Sequence, residues 1–244
     1  MRRIPMAVVV VFGLVPVVSE ARPADAVLSP VVVREFFGDA AGFDVVSGAP
    51  VRVDFDHVRS GTDISGRRLG GARFSSGAGD AAAPIVVQAA DTFTPAGFDS
   101  TVPFDPADNE LAATSGTKVL SPGGTRLGPG PDPAVENDDL VVSFRRPVTA
   151  VGFDVLFQSL DCCSLVAVSL LDPTGAVIAR YDPIPTGRPD TAVGDPAGSV
   201  FVGFTASAPA IATVVIDDYD DNNIFPDANI GYDTFRSTTR PVTD

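Results

Sequence analysis

The chain is 244 residues long with a formal net charge of −14, and its basic residues are almost all arginine, Lys118 being the one lysine. Such a charge repels a phosphate backbone rather than recruiting it, which sets nucleic acid aside as a partner. With two cysteines, one histidine and no tryptophan, the composition excludes a disulfide scaffold, and any catalytic triad or histidine-based metal site must pass through His57.

Arg2 and Arg3 precede an apolar run from Ile4 to Val18 and then small residues, the form of a secretory signal peptide. Cleavage fits after Ala21 or after Ala26, and the second is preferred. The run is shorter than the ~20 residues a membrane span needs and contains Pro5 and Pro16. A secreted or periplasmic protein without a membrane span is therefore expected, with residues 1–26 as signal peptide and about 218 residues left for folding, enough for one large β domain.

Period-two alternation dominates the rest of the chain. Val31–Phe37 is the first predicted strand. Val51, Val53 and Phe55 alternate with Arg52, Asp54 and Asp56, which reads as a strand burying one face and turning carboxylates outward. By the same alternation His57 continues the apolar face as a structural, half-buried histidine. Pro84–Gln88 is a further strand. The segment 121–136, with four prolines and several glycines, reads as a long surface loop inside one domain. Leu140, Val142 and Phe144 alternate next, then Val151, Phe153, Val155 and Phe157, with Asp154 and Gln158 on the opposite side.

Cys162 and Cys163 are adjacent, and neighbouring Cα atoms lie ~3.8 Å apart, below the usual disulfide range. Reduced thiols, a strained vicinal disulfide and intermolecular links all stay open. Leu165–Leu171 and Ala176–Tyr181 flank Asp172-Pro173-Thr174-Gly175, the strongest hairpin signal of the chain. Ser199–Ala206, Ile211–Ile216 and Ile230–Phe235 complete the strands, and residues 237–244 read as a flexible tail. No stretch of ten or more residues has helical period with good formers and caps, so crossover helices are not expected. Many short strands between Gly/Pro/Asp loops predict an all-β antiparallel sandwich, jelly-roll-like, over residues 27–236. A Gly-aromatic-Asp triplet occurs at 42–44, 97–99, 152–154 and 231–233, but the flanks do not align, so it is not read as a repeat.

Asn137-Asp138-Asp139-Leu140, Pro147 to Asp154, Phe201-Val202-Gly203-Phe204 and Pro226 to Phe235 together resemble a group of exported bacterial β-sandwich proteins often seen with a PEP-CTERM type sorting tail. Val53-Asp54-Phe55-Asp56 with Phe74-Ser75-Ser76 resembles the group's first strands. The resemblance implies a jelly-roll module of the galactose-binding or carbohydrate-binding kind, often with structural calcium. The sorting motif, apolar span and basic tail of that group are not in this sequence, so a freely secreted or periplasmic protein is expected rather than an anchored one.

The residues best suited to chemistry are acidic. Asp217, Asp218, Asp220, Asn222 and Asp227 crowd what reads as one loop, and hard oxygens so concentrated suit calcium, which takes six to eight of them. Asp138 and Asp139 are candidates to complete that set. The spacing resembles the opening of an EF-hand loop, but Asn223 and Asn229 stand where glycine and glutamate are needed, so an EF-hand is rejected. An alternative cluster joins Asp54 and Asp56 to Asp233. No catalytic residues are assigned, since nucleophile-elbow, zinc-spacing and phosphate-loop motifs are missing.

These residues point to three functions. The first is a non-catalytic exported binding or structural module, calcium-stabilised and recognising extracellular polysaccharide. The second is an envelope or matrix assembly protein acting through sheet edges or the two cysteines, and the third a carbohydrate-active hydrolase using paired carboxylates.

Overall fold

The computed structural model describes residues 31–76, 85–88, 113–121, 140–157, 164–184, 198–220 and 230–240. The signal-peptide stretch, Cys162 and Cys163, and nearly all of the 121–136 loop lie outside them.

Fourteen strands and one helix make up the described residues: β1 (Val33–Phe37), α1 (Ala40–Ser47), β2 (Val51–Val53), β3 (Thr62–Asp63), β4 (Arg68–Leu69), β5 (Ala72–Ser76), β6 (Ile85–Gln88), β7 (Lys118–Ser121), β8 (Leu140–Val148), β9 (Ala150–Phe157), β10 (Ser164–Leu171), β11 (Val177–Tyr181), β12 (Gly198–Ala206), β13 (Ile211–Asp220) and β14 (Ile230–Thr238). One sheet runs β1-β12-β9-β14-β7-β6-β3, with β2 also paired to β14, and the second runs β11-β10-β13-β8-β5-β4. The described pairings are all antiparallel. This is the all-β sandwich that the alternation predicts.

The alternating apolar positions of both sheets meet in one core. Phe153, Val155, Val202, Phe204 and Tyr232 come from the first sheet, and Phe74, Leu140, Val142, Val166, Val168, Val214 and Ile216 from the second. Phe55, Phe74, Phe153 and Phe235 contact one another edge-on or stacked at 5.0–6.0 Å between centroids, separations at which aromatic pairs add to area burial.

The hairpin at Asp172–Gly175 forms as the sequence indicates. Gly175 has φ +85°, Asp172 N–H donates to Ala176 O, and the Asp172 carboxylate accepts from Thr174 N, Thr174 Oγ1 and Ala176 N. Those donors hold its pKa below the usual carboxylate range, Thr174's hydroxyl most of all.

Four expectations change. First, an eight-residue helix, α1, follows β1. Asp39 caps it by accepting from Gly42 N at 2.8 Å, and Gly48, with φ +65°, ends it by donating to Asp44 O. Eight residues fall below the window in which helical period is legible.

Second, the strand at Val51 stops at Val53. Val51 is 55% exposed, while Phe55 is buried with φ +61°, a left-handed turn that breaks the alternation. His57 is therefore exposed, its imidazole 70% accessible and 3.8 Å from Asp54, not half-buried on an apolar face.

Third, β13 runs on through Asp220, with Asp217, Asp218, Tyr219 and Asp220 paired to Ala167, Val166, Leu165 and Ser164. The first half of the acidic run is strand, not loop. Fourth, the tail is shorter than 237–244. Ser237 pairs with Val51, Thr238 pairs with Ala150, and the Thr149 hydroxyl lies within hydrogen-bonding reach of the carbonyls of Thr238 and Arg240.

Candidate functional site

Part of the outer face of the first sheet, over β9 and β12, is covered rather than solvated. Gly152 of β9 and Gly203 of β12 are directly paired, and the Phe201 ring lies over both, so a Cβ on either would stand 2.7 Å from that ring. Phe43 of α1 packs on Phe201 and Phe36, forming with Ala150 a second, smaller apolar cluster. Asp154, on the side of β9 that alternation turns away from the main core, is consequently 6% exposed.

Opposite Asp154 in the register stands Asp233 of β14. The register then slips: Asp233 to Arg236 on β14 face Asp154 to Gly152 on β9, one residue more on the first strand than on the second. This β-bulge places Thr234 at φ +44°, costly for a β-branched residue, returns Phe235 to the core and turns Arg236 to the covered face.

Two carboxylates directly across a ladder repel unless something intervenes. Here the segment 114–118 does. Asp233, fully buried, accepts from Thr114 N at 2.9 Å, Ser115 N at 2.8 Å, Thr234 N at 2.6 Å and the Ser115 hydroxyl at 3.1 Å. Thr114 Oγ1 lies 2.6 Å from Asp154 Oδ2 and 3.1 Å from Asp233 Oδ2. A hydroxyl has one proton to donate, so with both carboxyls ionised one of those contacts lacks a hydrogen.

Burial raises the pKa of Asp154, against the Thr114 hydrogen bond and the Arg236 charge, and raises that of Asp233, against the Ser115 and Thr234 backbone donors. Both shifts favour keeping a proton in the pair.

Arg236 completes the site. Its guanidinium lies 4.6 Å from the Phe201 ring centroid, with Nη2 3.9 Å from Asp154 and Nε 3.8 Å from Asp44 of α1, which also pairs with Arg52. Its side chain is 9% exposed, and among the described residues Nε and Nη1 have no hydrogen-bond partner.

Three of the four Gly-aromatic-Asp triplets thus bring their aspartates to one site, Asp154 and Asp233 buried and Asp44 part-exposed beside Arg236, and the triplet at 97–99 lies outside the described residues. That recurrence was the available signal. Thr114, Ser115, Thr234 and Arg236 carried none, because the bulge and the long-range segment that place them have no local pattern.

Of the predicted metal residues, Asp217, Asp218 and Asp220 fall among the described residues. Asp217 is in β13, 3.9 Å from Arg180. Asp218 and Asp220 are placed in the same strand by their backbone, and Asn222, Asp227, Asp138 and Asp139 lie outside the described residues. Of the alternative cluster, Asp54 is half exposed beside His57, whereas Asp56 accepts from Thr117 N and Lys118 N. Asp56 and Asp233 therefore grip the same segment through backbone amides. Among the described residues no three His, Cys, Asp or Glu side chains are grouped to hold a metal ion. No described helix is long and apolar enough to cross a membrane.

The class defined is an antiparallel two-sheet protein whose one covered face holds a buried acidic pair. No protein-family model matches the sequence, and no curated protein matches it. Among solved structures it is similar to the K2 cleaved adhesin domain of Lys-gingipain, with 14% identity and a TM-score of 0.41 over 78% of this chain and 97% of that one. The K3 adhesin domain of the same protein from Porphyromonas gingivalis w83 gives 13% and 0.42 over 77% and 97%. The carbohydrate-binding module TmCBM61, solved with beta-1,4-galactotriose, gives 13% and 0.20 over 67% and 99%.

Proposed function

We propose that this chain is an exported, non-catalytic module that binds extracellular polysaccharide and is stabilised by calcium at the acidic end of β13. The observation that carries the non-catalytic part is the fate of Asp154 and Asp233. A glycosidase needs two carboxyl groups flanking a sugar in an accessible cleft. The directly opposed pair here is closed beneath segment 114–118, its oxygens taken up by Thr114, Ser115 and Thr234. Its role is to fasten segment 114–118 to the sheet.

Asp217, Asp218, Asp220, Asn222, Asp227, Asp138 and Asp139 are the oxygen donors assigned to calcium. The support for the ion is the acidic run itself, four carboxylates in five residues from Asp217 to Asp221, whose repulsion a divalent cation relieves.

Melting curves with calcium and with a chelator test the ion. A native-state ligand at a hundredfold excess over its Kd adds roughly 2.7 kcal/mol, a rise in midpoint of several degrees. An unchanged midpoint removes the site. Glycan arrays with calcium present test the polysaccharide, and release of chromophore from aryl glycosides, abolished by Asp154→Asn, would overturn the non-catalytic reading.

A further inference from the structure

We propose that the arginine-bearing end of the second sheet, at β4, β5 and the close of β8, is a binding surface for a polysaccharide that carries acidic groups. It rests on the polysaccharide reading above and names the class of polymer and the face that takes it.

The protein is acidic overall, yet its charge is not spread evenly. Residues 57–76 hold Arg59, Arg67, Arg68 and Arg73 against one carboxylate, Asp63, and residues 140–148 hold Arg145 and Arg146 against none. All six arginines are exposed, and none has an ion-pair partner among the described residues. The Asp63 carboxylate accepts from Ser65 N at 2.7 Å.

The sheet register gathers these charges. Arg68 of β4 stands directly opposite Arg73 of β5, and Arg73 opposite Ser143 of β8, two residues before Arg145. Ala72 and Phe74, on the other side of β5, are buried in the core, so Arg73 is fixed on the outer face. Its guanidinium lies beside the turn at Gly66, where a Cβ would stand 3.2 Å from Nη2, and Arg67 is the next residue of that turn. Arg145 and Arg146 are exposed where β8 slips register against β13.

Like charges directly opposed on neighbouring strands destabilise a sheet. A fold that keeps Arg68 against Arg73 with no described acid between them is poised for an anion from outside. Arginine suits that use, because its planar fork donates two parallel hydrogen bonds to a carboxylate or sulfate. The chain as a whole, at −14, repels a long polyanion, so contact is confined to this face. A duplex with one charge per ~1.7 Å meets that repulsion at full strength, whereas a glycan charged once per sugar or less does not. Charge density thus favours the acidic polysaccharide.

The test is affinity electrophoresis of the full chain with EDTA present, so that calcium bridging carries nothing. Polygalacturonate presents carboxylates, dextran sulfate presents sulfates, and unmodified dextran and galactan are neutral. At least one of the first two is expected to retard the protein, retention falling as salt is added; which one does so identifies the anionic group. Arg67→Glu/Arg68→Glu and, on a separate strand, Arg145→Glu/Arg146→Glu should each weaken binding about tenfold or more. Both pairs are exposed, so melting midpoints near wild type are expected, and the second pair still decides the matter where the first does not fold.

Retention undiminished in both variants overturns the site, and duplex DNA held as tightly as either acidic glycan overturns the assignment to polysaccharide. Binding of a neutral glycan alone overturns the inference while the broader polysaccharide reading stands. Retention by no glycan overturns the inference, and the glycan arrays with calcium present then decide the broader reading.

Discussion

At Asp154 and Asp233 the decisive quantity is where the proton sits. Burial is the largest cause of both upward shifts, so each group is easier to keep neutral in the folded chain than in the unfolded one. A folded-state pKa above the ordinary value adds stability that is complete below the ordinary carboxylate range and disappears as pH rises through the folded value. Asp154→Asn keeps an oxygen for the Thr114 hydroxyl and cannot ionise. The variant should therefore gain on wild type in unfolding free energy as pH is raised from about 4 to 7, read from urea titrations at several pH values. A constant difference would mean that Asp154 is not protonated in the fold. Asp233→Asn behaves differently, because one face of the new amide turns N–H groups on Thr234 N or Ser115 N. A buried donor left facing a donor costs about 1–3 kcal/mol, and a stability equal to wild type would contradict the hydrogen bonding described. Much of this was hidden in the sequence. Alternation correctly turned Asp154 away from the main core, but the cover supplied by Thr114 and Arg236 has no signature at the residue itself.

Among the elements, α1 and the bulge in β14 belong together. The helix seats Phe43 on the Phe201 ring, and that ring fits only because Gly152 and Gly203 are bare beneath it. Gly203→Ala leaves an ordinary strand backbone but sets a methyl against both rings. Overpacking of this kind costs about 1–3 kcal/mol, and near-ultraviolet dichroism of the phenylalanines should change with it. A fully stable variant would show that α1 rides loosely on the sheet. The strands themselves were readable where period two was uninterrupted, as in Leu140–Phe144, Val151–Phe157 and the Asp172 hairpin. They were misread where one residue left the β region. Phe55 at φ +61° turned His57 out into water. The acidic run misled for another reason: aspartate is depleted in strands, but Asp217 to Asp220 remain extended because β10 supplies their ladder partners.

For the molecule as a whole, sequence order and spatial order diverge. Strands from before the Pro/Gly-rich 121–136 segment occur in both sheets: β1, β2, β3, β6 and β7 in one, β4 and β5 in the other. β5 joins β8, β7 joins β14, and β1 joins β12, so each sheet is completed across that segment. The main core likewise mixes Phe55, Phe74, Val86 and Leu120 with Phe153, Val168, Val214 and Tyr232. Neither half can bury its apolar face alone, since a sheet needs several partnered strands with a covered face to persist in water. A protease site inserted between Pro129 and Gly130 should therefore cut the backbone without parting the halves. After cleavage the two pieces should co-elute in size-exclusion chromatography under native conditions. Unfolding in urea should remain a single transition, with fluorescence and far-ultraviolet dichroism coincident. Two separable transitions, or a C-terminal piece that stays folded by itself, would mean that the pairings of β5 with β8 and β7 with β14 contribute little, and that the sandwich is in effect two domains.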